Sequence, residues 1–209
     1  MSTAPSKLDR IYRGLEALYQ TSTGVNPSEM LIPFERGDAT PREVLIARQS
    51  EDGDLEVGLA LDAGTLSLLE NSSVEDSLGD EQLGHTLPVL EGLSHLVYLA
   101  EAARQERPIS GLELETQAEV DKFAICILHR WRSAREDFDP LLQRLYYRFD
   151  LAPMHEELRE RYEQANRTAL GFSRSLRRHV HAGSIGEFRQ ALRRFWHAPM
   201  SRKREYSRG

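Results

Sequence analysis

The stretch from Leu87 to Trp131, LPVLEGLSHLVYLAEAARQERPISGLELETQAEVDKFAICILHRW, carries the most continuous apolar pattern in the chain and most constrains its fold. It reads as two long helices joined by a short, proline-containing turn. Thr86 is placed to cap the first helix. Pro88 is tolerated in a first turn, where the N–H it lacks has no intrahelical acceptor. That helix is expected to run to about Arg104 and to stop before Arg107-Pro108, since a residue preceding proline disfavours helix. Ser110 and Glu113 form an S-x-x-E capping box that opens the second helix. Its apolar side carries Val120, Phe123, Ala124, Ile127, Leu128 and Trp131.

The rest of the chain is arranged around this pair. Leu8, Ile11, Leu15 and Leu18 recur at helical spacing and predict an amphipathic helix over 8–20. MLIPFE at 30–35 has a central proline and suits an edge strand or extended loop. Glu43–Gln49 and Asp54–Leu61 flank SEDG, and alternating leucines and valine in the second run predict a β-hairpin. Glu51, Asp52 and Asp54 lack the ligand spacing of an EF-hand and read as a solvated acidic turn. A short helix is expected from Ala63 to Glu70. The polar NSSVEDSLGDEQLGH then reads as a flexible loop and domain boundary.

Beyond Trp131, a short helix is expected from Asp139-Pro140 through Tyr146, followed by a long one from Met154 to about His179. Leu158, Tyr162, Ala165, Ala169, Phe172 and Leu176 form a packing stripe on it, for the chain itself or for a second copy in a homo-oligomer. Ser184 and Glu187 repeat the capping box before a final helix carrying Phe188, Leu192, Phe195 and Trp196. The last residues, MSRKREYSRG, read as a mobile basic tail. The expected fold class is α+β, mainly α: an N-terminal helix and small β-hairpin unit (1–80) packed against a helical bundle (81–198) with a central antiparallel helix pair, and a basic flexible tail (199–209).

Composition narrows function mainly by exclusion. A single cysteine, Cys126, rules out an intramolecular disulfide and a cysteine-rich zinc site, and reads as a small buried hydrophobe. No apolar run reaches the roughly 18 residues of a membrane span, and the first residues lack a secretory pattern. A cytoplasmic location is the default expectation, and the excess of arginine over lysine fits a bacterial source. Phosphate-loop, dinucleotide-binding and G-x-S-x-G motifs are absent.

Charge is distributed unevenly. The net charge is -6, yet residues 172–209 carry ten basic side chains against Glu187 and Glu205, a local balance of +8. Arg177, Arg178, Arg189, Arg193, Arg194, Arg202, Lys203 and Arg204, interleaved with Trp196, are the candidate partner-binding residues. An acidic protein partner is the expected ligand, and the acidity of the whole chain weighs against nucleic acid. The expected function is a non-enzymatic interaction or regulatory role with no cofactor. A metal-dependent enzyme or a nucleic-acid-binding protein is the alternative. Glu91, His95 and Tyr98 share one stripe of the first central helix, and Glu115, Glu119, Lys122, Cys126 and His129 share one of the second. Glu91, His95, Glu115 and Glu119 would form the metal cluster, although the E-x-x-H spacing of helical di-iron sites is missing. His179 and His181, two apart before a glycine, are read as imidazolium groups favourable to a helix C-terminus.

Overall fold

The computed structural model describes residues 6–35, 43–49, 55–147 and 156–208. The protein is a mainly helical α+β fold with one small three-stranded sheet among the described residues. Its contacts divide the chain into two compact units, Met1–Ile109 and Ser110–Gly209. The division falls after Ile109, not at 80, and it assigns the two helices of the Leu87–Trp131 stretch to different units. No helix among the described residues is long and apolar enough to cross a membrane.

In the first unit, helix α1 (Lys7–Tyr19) is opened by a capping box. The Ser6 side chain accepts from the Asp9 N–H, and Asp9 accepts from the Ser6 N–H. The expected hairpin forms: β2 (Glu43–Gln49) runs antiparallel to β3 (Leu55–Asp62), with Glu43 opposite Leu61 and Ala47 opposite Val57. The acidic turn between them lies outside the described residues. β1 (Leu31–Phe34) joins β3 in parallel, giving the order β1-β3-β2. Pro33 is therefore on an edge strand, where a missing donor costs no ladder bond. Asp62 then caps α2 (Ala63–Asn71), accepting from the Thr65 N–H at 2.8 Å.

The polar segment expected as a flexible boundary is structured instead. It contains the one-turn helix α3 (Val74–Ser77) and leads into α4 (Leu83–Arg104). Leu78 and Leu83 are buried, so the segment contributes apolar anchors to the core despite its acidic composition. Thr86 lies inside α4 and does not cap it; its hydroxyl donates to the Ser77 carbonyl at 2.6 Å. Helix α4 packs on α1, α2, β2 and β3, which is why it belongs to the first unit and not to a separate bundle. Val89, Leu90, Leu93, Leu96 and Val97 bury nearly all of their surface. Gly92 lets the sheet approach. A Cβ there would stand 2.7 Å from Glu43 Cγ and from Leu59 Cδ1, closer than atoms in contact sit.

The second unit is built on α5 (Gly111–His129), whose start is as expected: Ser110 Oγ accepts from the Glu113 N–H at 3.2 Å. Helix α6 (Ala134–Leu142) leads into a π-helical turn at Gln143–Tyr147, and α7 (Glu156–Ser175) packs along α5. Ala165, Ala169, Phe172 and Leu176 are buried, so this part of the expected stripe is used inside the unit. The long helix ends earlier than its periodicity implies. It breaks at Leu176, and α8 (Arg177–His181) follows. Ser184 makes no capping bond to α9 (Ile185–Trp196). Its N–H instead closes back on His179 O at 2.9 Å around the left-handed Gly183, a Schellman-type stop.

The expected mobile tail is a correction. Residues Met200–Tyr206 form helix α10, which docks on α7. Phe172 stacks on Phe195 with ring centroids 4.0 Å apart, and the Tyr206 ring leans on both. Gly171 provides the seat, since a Cβ there would stand 2.2 Å from the Ser207 carbonyl oxygen. Gly171→Ala is accordingly expected to push α10 off α7. Overpacking of about 1–3 kcal/mol, less roughly 1 kcal/mol gained in helix propensity, leaves a net loss of about 1 kcal/mol. Chemical denaturation of the variant, with limited tryptic cleavage at Arg202 and Arg204 as a local probe, checks this.

Candidate functional site

The candidate partner-binding residues of the second unit fall into three groups. Trp196 and Lys203 are buried and form part of the core, not a binding surface. Phe188 and Phe195 are buried with them, so none of these three rings is presented for stacking on a ligand. Arg177 forms an ion pair with Asp139 and lies over the Phe138 ring at 4.7 Å, and the hydrogen bonds from its guanidinium, helped by its charge, hold the Asp139 carboxyl below the usual range. Arg202 is held by Glu205 and covers the Tyr206 ring. Arg178, Arg189, Arg194 and Arg204 remain on the exposed surface, and Arg193 is half-buried.

Two of these exposed arginines line a groove. Arg178 from α8, Arg194 from α9 and Phe172, Ser175, Ala191, Glu205 and Tyr206 enclose about 370 Å³. The floor is aromatic and the walls are cationic. Glu205 is the acid in the lining, and Arg202 offsets its charge. Burial, reinforced by the Arg178 and Arg194 charges, pushes His179 below the usual histidine range, with Glu187 acting the other way. The shift disfavours the imidazolium expected as a helix cap, and Arg178 donates to the His179 Nε2 at 3.3 Å. The arrangement suits a carboxylate-bearing or otherwise anionic ligand with some apolar surface.

Beneath this surface runs a buried polar chain that periodicity alone did not reveal. Lys203 Nζ donates to Gln117 Oε1 at 2.9 Å, and Gln117 Nε2 donates to Asp121 Oδ1 at 2.9 Å. All three residues are fully buried. The amide thus links a buried cation to a buried carboxylate, and the Lys203 ammonium also lies 4.9 Å from the centre of the Phe195 ring. The signal in the sequence was Gln117 and Asp121 at i, i+4 within the apolar arc of α5.

The four residues of the expected metal cluster divide between the units, Glu91 and His95 on α4 and Glu115 and Glu119 on α5. In the second unit Glu115 faces Arg161 at 3.8 Å and Glu119 forms a 2.7 Å ion pair with Lys122. In the first unit a ligand atom of Glu91 lies within 4.8 Å of one of His95. Tyr98, the third member of that stripe, is buried under the Arg107 guanidinium. A residue absent from the expected set completes the neighbourhood of His95: Glu43 Oε1 of β2 lies 3.4 Å from His95 Nδ1. Glu43 shares strand parity with Leu45, which places it on the inward face where a charge is costly without a partner. Cys126 is buried in α5, as its expected role as a small hydrophobe requires. Comparisons of the chain with protein-family models, with curated proteins and with solved structures find no match.

Proposed function

We propose that the second unit is a non-enzymatic docking module that receives an acidic segment of a partner protein in the groove between α7, α9 and α10. The observation that carries this reading is the pairing of exposed Arg178 and Arg194 with an aromatic floor in a groove of about 370 Å³. Carboxylates of the partner meet the guanidinium groups, and an apolar side chain beside them covers Phe172 and Tyr206. Arginine suits this task because its planar fork holds a carboxylate in two parallel hydrogen bonds. The packed helices beneath hold the groove in place, so little ordering opposes binding.

A nucleic-acid role draws less support. The aromatic rings that would have served for base stacking are core residues, and the chain carries a net charge of -6. The reading is tested with the full chain and a fluorescent Asp/Glu-rich peptide containing one leucine, compared with a single-stranded oligonucleotide. Reversing both charges, Arg178→Glu with Arg194→Glu, is expected to weaken peptide binding at least tenfold, while Arg→Lys at the same positions retains part of it. Equal peptide affinity in wild type and the reversed variant, or binding of the oligonucleotide alone, would count against the proposal.

A further inference from the structure

We infer that two copies of the protein associate through the outer edge of β2, joining their sheets into one continuous sheet about a two-fold axis at Ile46. This surface is independent of the peptide groove. The two edges of the sheet differ. β1 is a four-residue strand containing Pro33, a short edge on which a further ladder is interrupted. β2 has seven residues, Glu43–Gln49, without proline, glycine or lysine, and it pairs with β3 residue for residue without a bulge. An edge of this kind offers a regular row of backbone donors and acceptors to another strand. Among the described residues no strand pairs with it.

The hydrogen-bond pattern fixes which residues face that edge. The Leu59 N–H donates to the Met30 carbonyl at 2.8 Å, so the backbone groups of Leu59 point toward β1 and those of Gly58 and Ala60 toward β2. Ala60 and Gly58 stand opposite Val44 and Ile46, which are therefore the residues bonded to β3. The N–H and C=O groups of Leu45 and Ala47 consequently point outward. Side chains alternate as well. Glu43, Leu45 and Ala47 lie on the face that approaches α4 at Gly92, and Val44, Ile46 and Arg48 lie on the other. Val44 and Ile46 are exposed there, and Ile32, across Ala60 from Val44, extends them into an apolar patch.

A pair symmetric about Ile46 uses the whole strand. Glu43 comes opposite Gln49 of the second copy, Leu45 opposite Ala47, and Ile46 opposite its own counterpart. Each Leu45 exchanges both backbone hydrogen bonds with Ala47 of the other copy, and the two Ile46 side chains touch at the closer, non-bonded position. Moving the axis away from Ile46 leaves part of β2 unpaired. Val44 meets Arg48 of the second copy. Arg48 is the one charge on this face of the strand, and Glu56 of its own chain holds it at 2.8 Å. The copies therefore meet without like-charge repulsion, and the arginine stem covers the valine. This self-complementarity selects a second copy as the occupant of the edge.

Sedimentation velocity of the full-length chain over a concentration series is expected to show a monomer–dimer equilibrium. Ala47→Pro removes an outward N–H and keeps the bonds to β3, so it should raise the dimer dissociation constant about tenfold or more with circular dichroism unchanged. Ile46→Cys sets two thiols face to face on the axis, at the Cα separation of about 4.5 Å that a non-bonded antiparallel pair gives and a disulfide accepts. Oxidation with copper phenanthroline should convert it to a covalent dimer. Ile32, 47% exposed against 48% for Ile46, lies on the far edge strand, so Ile32→Cys should not cross-link, and Cys126 is buried. If Ala47→Pro fails to fold, the cross-link alone decides. A chain that stays monomeric throughout the series leaves the edge to another protein and overturns the inference. So does a dimer that forms equally in Ala47→Pro, or that cross-links no better through Ile46→Cys than through Ile32→Cys.

Discussion

Lys203→Met is expected to lower the unfolding free energy of the protein by about 3–5 kcal/mol, although the residue lies in a stretch whose composition reads as a solvated tail. The substitution keeps much of the side-chain volume and removes the ammonium. It removes the Lys203 donor to Gln117 Oε1 and the buried cation at one end of the chain that Gln117 extends to the Asp121 carboxylate. For a domain of marginal stability, a loss of that size is a large share of the total. Urea denaturation followed by tryptophan fluorescence measures it. Asp121→Asn in the Lys203→Met background should restore part of the loss, because the two residues belong to one network and their effects are not additive. A loss within about 0.5 kcal/mol of zero, the level of an ordinary surface substitution, would mean that α10 is not anchored in this way.

Glu101→Gln is expected to cost about 1–2 kcal/mol at neutral pH, and the deficit should vanish in acid. Glu101 accepts from the Arg104 guanidinium at 2.7 and 2.9 Å and also from Thr21 and Gln105, tying the end of α4 to the loop that follows α1. The Arg104 hydrogen bonds, with those of Thr21 and Gln105, outweigh burial and hold its carboxyl at about 2, below the ordinary 4.5. A carboxyl whose folded value is depressed stabilises the fold above the unfolded value and loses that contribution as pH falls through the folded one. The difference between wild type and Glu101→Gln should therefore be full above about pH 5 and shrink between 4.5 and 2. Arg104 is half exposed, so salt screens part of its interaction. A difference independent of pH across this range would assign the cost to packing alone.

Local patterns that bury apolar surface were readable in the sequence. The hairpin follows from alternation, the edge placement of β1 from Pro33, and the start of α5 from Ser110 and Glu113. The division of the chain was not readable, because α4 and α5 are each apolar around much of their circumference and periodicity does not say which core a helix enters. The polar 71–86 segment hid Leu78 and Leu83, two anchors among many acids. The C-terminal helix was hidden for the same reason. Its composition is basic, while its docking depends on one buried lysine and on a glycine about thirty residues earlier, Gly171, that leaves room for it.

The candidate sites were legible to a similar degree. Arg178 and Arg194 stood in the basic segment, and the groove they form depends on α10 being in place to contribute Tyr206. Lys203 and Trp196 belonged to the same segment, but burial removes them from any surface role. Glu91 and His95 shared a helical stripe. Glu43 required the register of β2 against β3 and the gap at Gly92 before its proximity to His95 was visible. Long-range pairings of this kind are set by tertiary packing, which the local pattern around each residue does not encode.

The most direct measurement of the docking role is a titration of isotopically labelled full-length protein with the Asp/Glu-rich peptide, followed by amide chemical shifts. Docking in the groove predicts perturbations centred on Phe172, Ser175, Arg178, Ala191, Arg194 and Tyr206, saturating with peptide and abolished by the Arg178→Glu and Arg194→Glu pair. Perturbations scattered over all exposed arginines, or the same response in the reversed variant, would contradict it.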